Sequence, residues 1–151
     1  MRARALLVLG AAMLAACAPQ ATPSDLRLTA ATLRAAAPGA TTTVAYVALA
    51  NRGGSDDRLV GAAMSGAGSA SLHTSSMTGG VMRMRPLADL PISAGGEVAM
   101  TQGSGAHIMV EGLTVPLREG DRATLTLRFA HAKPIRTTLT ATAVASAMGG
   151  M

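Results

Sequence analysis

Alternation of apolar and polar residues is the clearest pattern along the chain. In segment 122–130, Leu125, Leu127 and Phe129 share one face and polar residues share the other. This period of two is typical of a half-buried strand, and segment 135–144 repeats it more weakly. Shorter apolar runs predict further strands at residues 26–35, 41–49, 58–64, 69–74, 81–86, 97–102 and 106–113. The Ala-rich stretch 26–37 is the one most compatible with a helix instead.

Turn-forming residues separate these segments. The run at residues 51–57 (NRGGSDD) is a strong turn signal, because Gly, Asn, Asp and Ser favour tight turns. Strands that recur every 8–15 residues or so with turns between them are typical of sandwiches and barrels. The pattern therefore predicts an all-β protein with a Greek-key β-sandwich or barrel, and the length fits one domain.

The N-terminus has the pattern of a targeting signal. Arg2 and Arg4 precede an apolar run that is too short to span a bilayer comfortably. Residues 14–17 (LAAC) resemble the lipobox of bacterial lipoproteins, which implies cleavage before Cys17 and lipid attachment to it. An ordinary signal peptide is the alternative. The predicted organisation is then a signal peptide at 1–16, a lipidated cysteine and tether at 17–24, a β-sandwich domain at 25–144, and a flexible Met-containing tail at 145–151.

Composition excludes several classes of function. The chain has one Cys, one Tyr, one Phe and no Trp. A single Cys cannot form an internal disulfide, nor a thiolate cage for zinc or an iron–sulfur cluster. The small number of aromatic residues argues against a base-stacking platform for single-stranded nucleic acid. The net charge of +5 comes from scattered basic residues rather than a dense patch. We find no catalytic triad pattern, phosphate loop or paired catalytic carboxylates, so we expect a protein that is not an enzyme.

Ten methionines remain to be explained. His107 and Met109 are two residues apart in a predicted strand, so both side chains face the same side; Met82 and Met84 have the same relation. Imidazole nitrogen and thioether sulfur suit Cu(I) and offer little to Mg²⁺ or Ca²⁺. Taken alone, the pattern is also compatible with methionines that fill the core.

Three spacings together resemble a known motif. Ten residues separate His73 from Met84, 22 separate Met84 from His107, and His107-Ile108-Met109 follows. The order His, ten residues, Met, about 21 residues, His-x-Met resembles that of the periplasmic copper chaperones that serve the CuA centre of cytochrome c oxidase. The flanking text at 45–62, 79–87 and 107–129 is similar as well. The second spacer is one residue longer than usual, which we place in the Gly-rich stretch 103–106.

The resemblance implies a cupredoxin-like fold that binds one Cu(I) through His73, Met84, His107 and Met109. It also implies a monomer that faces the periplasm of a bacterial cell envelope, held to a membrane by its lipid. The expected partner is a copper acceptor such as cytochrome c oxidase subunit II or another copper chaperone. We expect the site near one end of the sandwich, built from two loops and a strand.

Several alternatives stay open at this point. Met82, Met148 and Met151 are possible auxiliary ligands, although for Met82 core packing is favoured. Met64 and Met77 are expected to be loop or core residues, and packing is expected of both and of Met100. Binding of Cu(II) at a secondary site is left open. A copper-scavenging or tolerance lipoprotein without a dedicated acceptor would use the same four ligands, and a structural β-sandwich lipoprotein would bind no metal.

Overall fold

Strands make up all the regular structure of the described chain. The computed structural model describes residues 21–102 and 105–143. Within them lie ten strands: β1 Leu26–Arg34, β2 Thr43–Asn51, β3 Asp57–Met64, β4 Ser69–Thr78, β5 Val81–Pro86, β6 Leu90–Ile92, β7 Glu97–Ala99, β8 Ala106–Glu111, β9 Arg122–Phe129 and β10 Ile135–Thr142. The all-β prediction is confirmed. No helix in this part of the chain is long and apolar enough to cross a membrane.

The strands form one curved sheet that closes on itself. Their order is β5-β4-β8-β2-β1-β10-β9-β3-β6, and β7 also pairs with β2. The pairing of Ala62 with Ala70 joins β3 to β4, so the two halves of the sheet face each other around one core. The parallel pairing of β1 with β10 brings together strands from the two ends of the domain.

The core follows the alternation read from the sequence. Leu125, Leu127 and Phe129 of β9 are buried, whereas the intervening polar residues are partly or fully exposed. Burial of a side chain of this size stabilises the fold by about 1.5–3 kcal/mol. The largest fully buried apolar side chains are Leu33, Leu49, Leu59, Ile92, Ile108, Leu125, Leu127, Val47 and Val110.

The helix considered for residues 26–37 is not formed, because β1 is a strand along Leu26–Arg34. It pairs with β2 from Leu26 to Leu33 and with β10 at Leu33 and Arg34. Pairing with β2 along nearly the whole strand, and with β10 at its C-terminal end, outweighs the helix propensity of Ala. The three-residue β6 was not predicted, because it is too short for an alternating pattern.

The predicted turn at residues 51–57 is organised by a buried amide. Asn51 Oδ1 accepts hydrogen bonds from the backbone N–H groups of Gly53 at 3.0 Å and Asp25 at 3.2 Å. Its Nδ2 donates to the carbonyl of Ser55 at 2.8 Å. The side chain therefore replaces the backbone partners that the chain loses on leaving β2, and it fixes the path from β2 to β3.

Asp57, at the start of β3, has a structural role. Its carboxylate accepts hydrogen bonds from the Ser24 hydroxyl at 2.6 Å and from the backbone N–H groups of Arg58, Ala132 and His131 at 2.7–3.1 Å. Burial alone would raise the pKa of Asp57, but these donors stabilise the charged form and hold the pKa below its ordinary value of 3.8. The hydrogen bonds of Asp57 therefore stabilise the fold, in agreement with the prediction of a turn at residues 51–57.

Strands β4 and β5 form a hairpin that extends past the rest of the sheet. Its loop is Gly79 and Gly80, with φ of 58° and 77°, the positive angles that a two-residue hairpin turn requires. Pairing of β4 with β8 ends at Thr74, whereas pairing with β5 continues to the loop. All residues of β5 are exposed. The outer part of the hairpin therefore contacts solvent on both faces.

Candidate metal centre

Two histidines occupy directly opposed positions on neighbouring strands. His73 of β4 pairs with His107 of β8, and their ring centroids are 6.0 Å apart with the planes tilted by 32°. The adjacent residues, Leu72 before His73 and Ile108 after His107, are buried in the core. Because side chains alternate along a strand, the two rings lie on the face of the sheet turned away from that core. His107 is nevertheless only 6% exposed.

Each ring has one nitrogen held by the protein and one left without a partner. His73 Nε2 lies 3.0 Å from Ser71 Oγ, and His107 Nδ1 lies 3.1 Å from the carbonyl oxygen of Gly105. The other two ring nitrogens, His73 Nδ1 and His107 Nε2, are buried and have no hydrogen-bond partner among the described residues. A buried polar atom without a partner costs about 1–3 kcal/mol. A cation bound by both nitrogens would remove that cost.

The contact with Gly105 also sets the tautomer of His107. A carbonyl only accepts, so Nδ1 carries the proton and Nε2 carries the lone pair that can bind a metal. Metal-binding histidines are commonly oriented in this way by a carbonyl on the second nitrogen. The same carbonyl accepts the Ser75 N–H at 2.8 Å, which ties the ring to β4.

Glycine is required at position 105. Its φ is +86°, and a Cβ atom there would lie 2.8 Å from the carbonyl oxygen of Ser75. Any other residue would have to displace the backbone that holds the His107 ring. Sequence reasoning identified neither Gly105 nor Ser71 as part of the site. For Ser71 there was a signal, because it lies two residues before His73 on a predicted strand.

The two predicted methionine ligands flank the histidine pair. Met84 of β5 lies opposite Ser75, and Met109 of β8 lies opposite Ser71. Both are therefore diagonal neighbours of His73 on one face of the sheet, at about 7–8 Å between backbones, which long side chains can bridge. Met84 is 48% exposed, whereas Met109 is half-buried and lines a shallow groove of about 290 Å³.

The backbone that carries these four side chains differs from the expectation. We expected two loops and a strand, but His73, Met84, His107 and Met109 lie on the adjacent strands β4, β5 and β8. Strand β4 continues to Thr78, past the end predicted at residue 74. This extension pairs with β5 and makes the site a continuous patch of sheet.

The remaining predicted residues fall into three groups. Met64 and Met100 are buried in the core, as expected. Met77 and Met82 are 65% and 63% exposed on the outer hairpin, so the expectation of core packing is wrong for both. Cys17, Met148, Met151 and the signal peptide lie outside the described residues.

The donor types restrict the cations that this patch can bind. In the described part of the chain, no group of three or more His, Cys, Asp or Glu side chains could hold a metal ion. The patch instead combines two imidazoles with thioethers, which are neutral and soft donors. Such donors favour Cu(I) over Zn²⁺ or the hard cations.

Solved structures share this fold. The apo PCuAC domain from PmoF1 is 21% identical and matches 82% of this chain and 99% of its own length with a TM-score of 0.66. The apo form of DR1885 from Deinococcus radiodurans is 29% identical over 96% of this chain and 95% of its own, with a TM-score of 0.59. The solution structure of CuI-DR1885, also 29% identical, matches 82% of this chain and 81% of its own with a TM-score of 0.56.

These similarities confirm the predicted cupredoxin-like β fold and the resemblance of the chain to periplasmic copper chaperones. No curated protein sequence matches the chain. A family model, that of the LpqE-like lipoproteins, matches residues 26–141, which is most of the chain. The protein therefore belongs to the LpqE-like lipoprotein family.

Proposed function

We propose that this protein is a copper chaperone that binds one Cu(I) through His73, Met84, His107 and Met109 and delivers it to an acceptor protein. The observation that carries the proposal is the pair of buried ring nitrogens on two facing histidines that have no hydrogen-bond partner in the described part of the chain. The similarity to CuI-DR1885 supports Cu(I) as the ion.

The choice of donors suits the bacterial cell envelope, where we place the protein. A pair of thiolates there would tend to oxidise to a disulfide and lose its metal. Thioethers bind soft Cu(I) without that risk. They also carry no charge, so the bound ion keeps its +1 charge, and only the two imidazoles need to be deprotonated at the coordinating atom.

The gradient of exposure across the site suits release of the ion. Met84 lies on the edge strand β5 and is nearly half exposed, whereas His107 is almost fully buried. An acceptor can therefore approach from the β5 side and replace the Met84 thioether first, with the His107 contact broken last. The acceptor we propose is the CuA site of cytochrome c oxidase subunit II or another copper chaperone. A lipid on Cys17 would keep the protein, as a monomer, at the periplasm-facing surface of a membrane.

Titration with Cu(I) under reducing conditions, followed by X-ray absorption, tests the site. The wild type should bind one ion tightly with mixed nitrogen and sulfur ligation. The variant His107→Ala/Met109→Ala should lose it, whereas His131→Ala, which removes an exposed histidine of the β9–β10 turn, should not. A wild type that binds no Cu(I) would mean that the protein is a structural lipoprotein without metal.

Delivery needs a separate experiment in cells. Deletion of the gene should reduce cytochrome c oxidase activity, and added copper should restore it. Unchanged oxidase activity together with greater sensitivity to copper would instead identify a scavenging protein without a dedicated acceptor.

A further inference from the structure

The outer part of the β4–β5 hairpin exposes an unusual amount of apolar side chain. Six large hydrophobic residues are exposed among the described residues, and Met77, Val81, Met82 and Met84 of this hairpin are four of them. Contiguous exposed apolar groups on a soluble protein commonly mark a binding surface. Among the described residues only β5 pairs with β4 beyond Thr74, and the methionines of this part of the hairpin are exposed rather than packed in the core.

Three of these side chains share one face. Met77 of β4 lies directly opposite Met82 of β5, and directly opposed residues have Cβ atoms about 4.5–5.5 Å apart. Met84 is two residues from Met82 on the same strand and therefore faces the same side. His73, four residues from Met77 on β4, faces that side too. A row of soft donors thus runs from the tip of the hairpin to the histidine pair.

We propose that Met77 and Met82 form a second, outer Cu(I) site that loads the inner centre through Met84. The inference rests on the proposed function of the inner centre. Flexible thioethers on opposed strands can close on a single soft ion. In the transfer, the Met84 sulfur replaces one of the outer thioethers on the ion. Only metal–sulfur bonds change, and the ion remains Cu(I).

The outer site binds the ion more weakly than the inner one. It has no imidazole, and both thioethers are about two-thirds exposed to water. Arg83 and Arg85 lie on the other face of β5, where their charge disfavours a nearby cation, although water and salt screen the effect. Weak binding suits a site that accepts an ion and passes it on.

Titration of the full-length protein with Cu(I) against a chromophoric Cu(I) chelator tests the proposal. We expect a second, weaker equivalent with ligation by sulfur alone. In Met77→Leu/Met82→Leu this second equivalent should be lost, because both of its thioether donors are gone. The inner equivalent should bind unchanged. Leu has nearly the volume of Met, so the exposed hairpin should tolerate both substitutions.

Two further variants separate the possible outcomes. Val81→Leu changes an exposed apolar residue at the start of β5 without removing a donor, and it should keep both equivalents. His107→Leu should lose the inner ion and keep the outer one, so failure of the inner centre and failure of the outer site give different titrations. A wild type without a second equivalent, or a second equivalent that survives loss of Met77 and Met82, would overturn the proposal.

Discussion

Replacement of His107 by Leu separates metal binding by this ring from its contribution to folding. In the apo protein the change removes the buried Nε2 atom, which has no partner among residues 21–102 and 105–143. This relieves about 1–3 kcal/mol of unfavourable desolvation. It also removes the hydrogen bond to Gly105, worth about 0.5–1.5 kcal/mol, although that carbonyl keeps the Ser75 N–H. These effects oppose each other, so the free energy of unfolding should change by no more than about 2.5 kcal/mol.

Copper should reveal the functional effect of the same substitution. A ligand that binds only the folded state adds about 2.7 kcal/mol of stability at a free concentration of 100 times its Kd. For a domain of this size, that corresponds to a rise in Tm of roughly 10 °C. The wild type should show this rise, and His107→Leu should not.

Thermal unfolding followed by circular dichroism, with and without Cu(I) in a reducing buffer, measures both effects. The control is His131→Leu, in which an exposed histidine is lost and the copper-dependent rise should persist. The reasoning is refuted if His107→Leu keeps the full rise with copper. It is also refuted if the apo variant loses more than about 4 kcal/mol, because the ring would then stabilise the fold rather than impose a cost on it.

Three other substitutions test the supports of the site and of the fold. Gly105→Ala should weaken Cu(I) binding in a competition titration, because the alanine Cβ would lie 2.8 Å from the carbonyl oxygen of Ser75. The control is Gly120→Ala, where φ is a similar +88° and the space around the residue is open. It should leave the Cu(I) affinity unchanged. Ser71→Ala should lower the Cu(I) affinity by about 10–100-fold through the loss of a ring-orienting hydrogen bond, and Ser76→Ala, on the other face of β4, should not. Asp57→Asn should destabilise the fold by about 2–4 kcal/mol in urea at pH 7 without changing copper affinity. Since the pKa of Asp57 is lowered in the folded state, wild-type stability should also fall as pH drops below 3.8, and the Asn variant should show a smaller fall.

Most of the fold could be predicted because the pattern that encodes it is local. The alternation at Leu125, Leu127 and Phe129 identifies β9 and its buried face without knowledge of any partner strand. Strand β1 is the counterexample, since its Ala-rich sequence does not distinguish a strand from a helix. Pairing with β2 and β10 makes this segment a strand, and that pairing depends on residues far away along the chain.

The methionines also differ in whether their positions could be predicted from the sequence. The motif pointed to Met84 and Met109, and the structure places them on either side of His73. For Met77 and Met82, the sequence alone favoured packing because Met is an adaptable core residue. Their exposure follows from the length of the β4–β5 hairpin, which extends past the end of β8, and no local pattern encodes how far neighbouring strands run together.

The sequence by itself determined most of the strands and their buried faces, and its spacing predicted four soft donors. Only the tertiary structure decided that His73 and His107 face each other. Ser71 and Gly105 hold one nitrogen of each ring, and the other nitrogen has no hydrogen-bond partner among the described residues. The physical reason is the range of the interactions. Alternation and turns depend on a few neighbouring residues, whereas the register between β4 and β8 depends on closure of the whole sheet around its core.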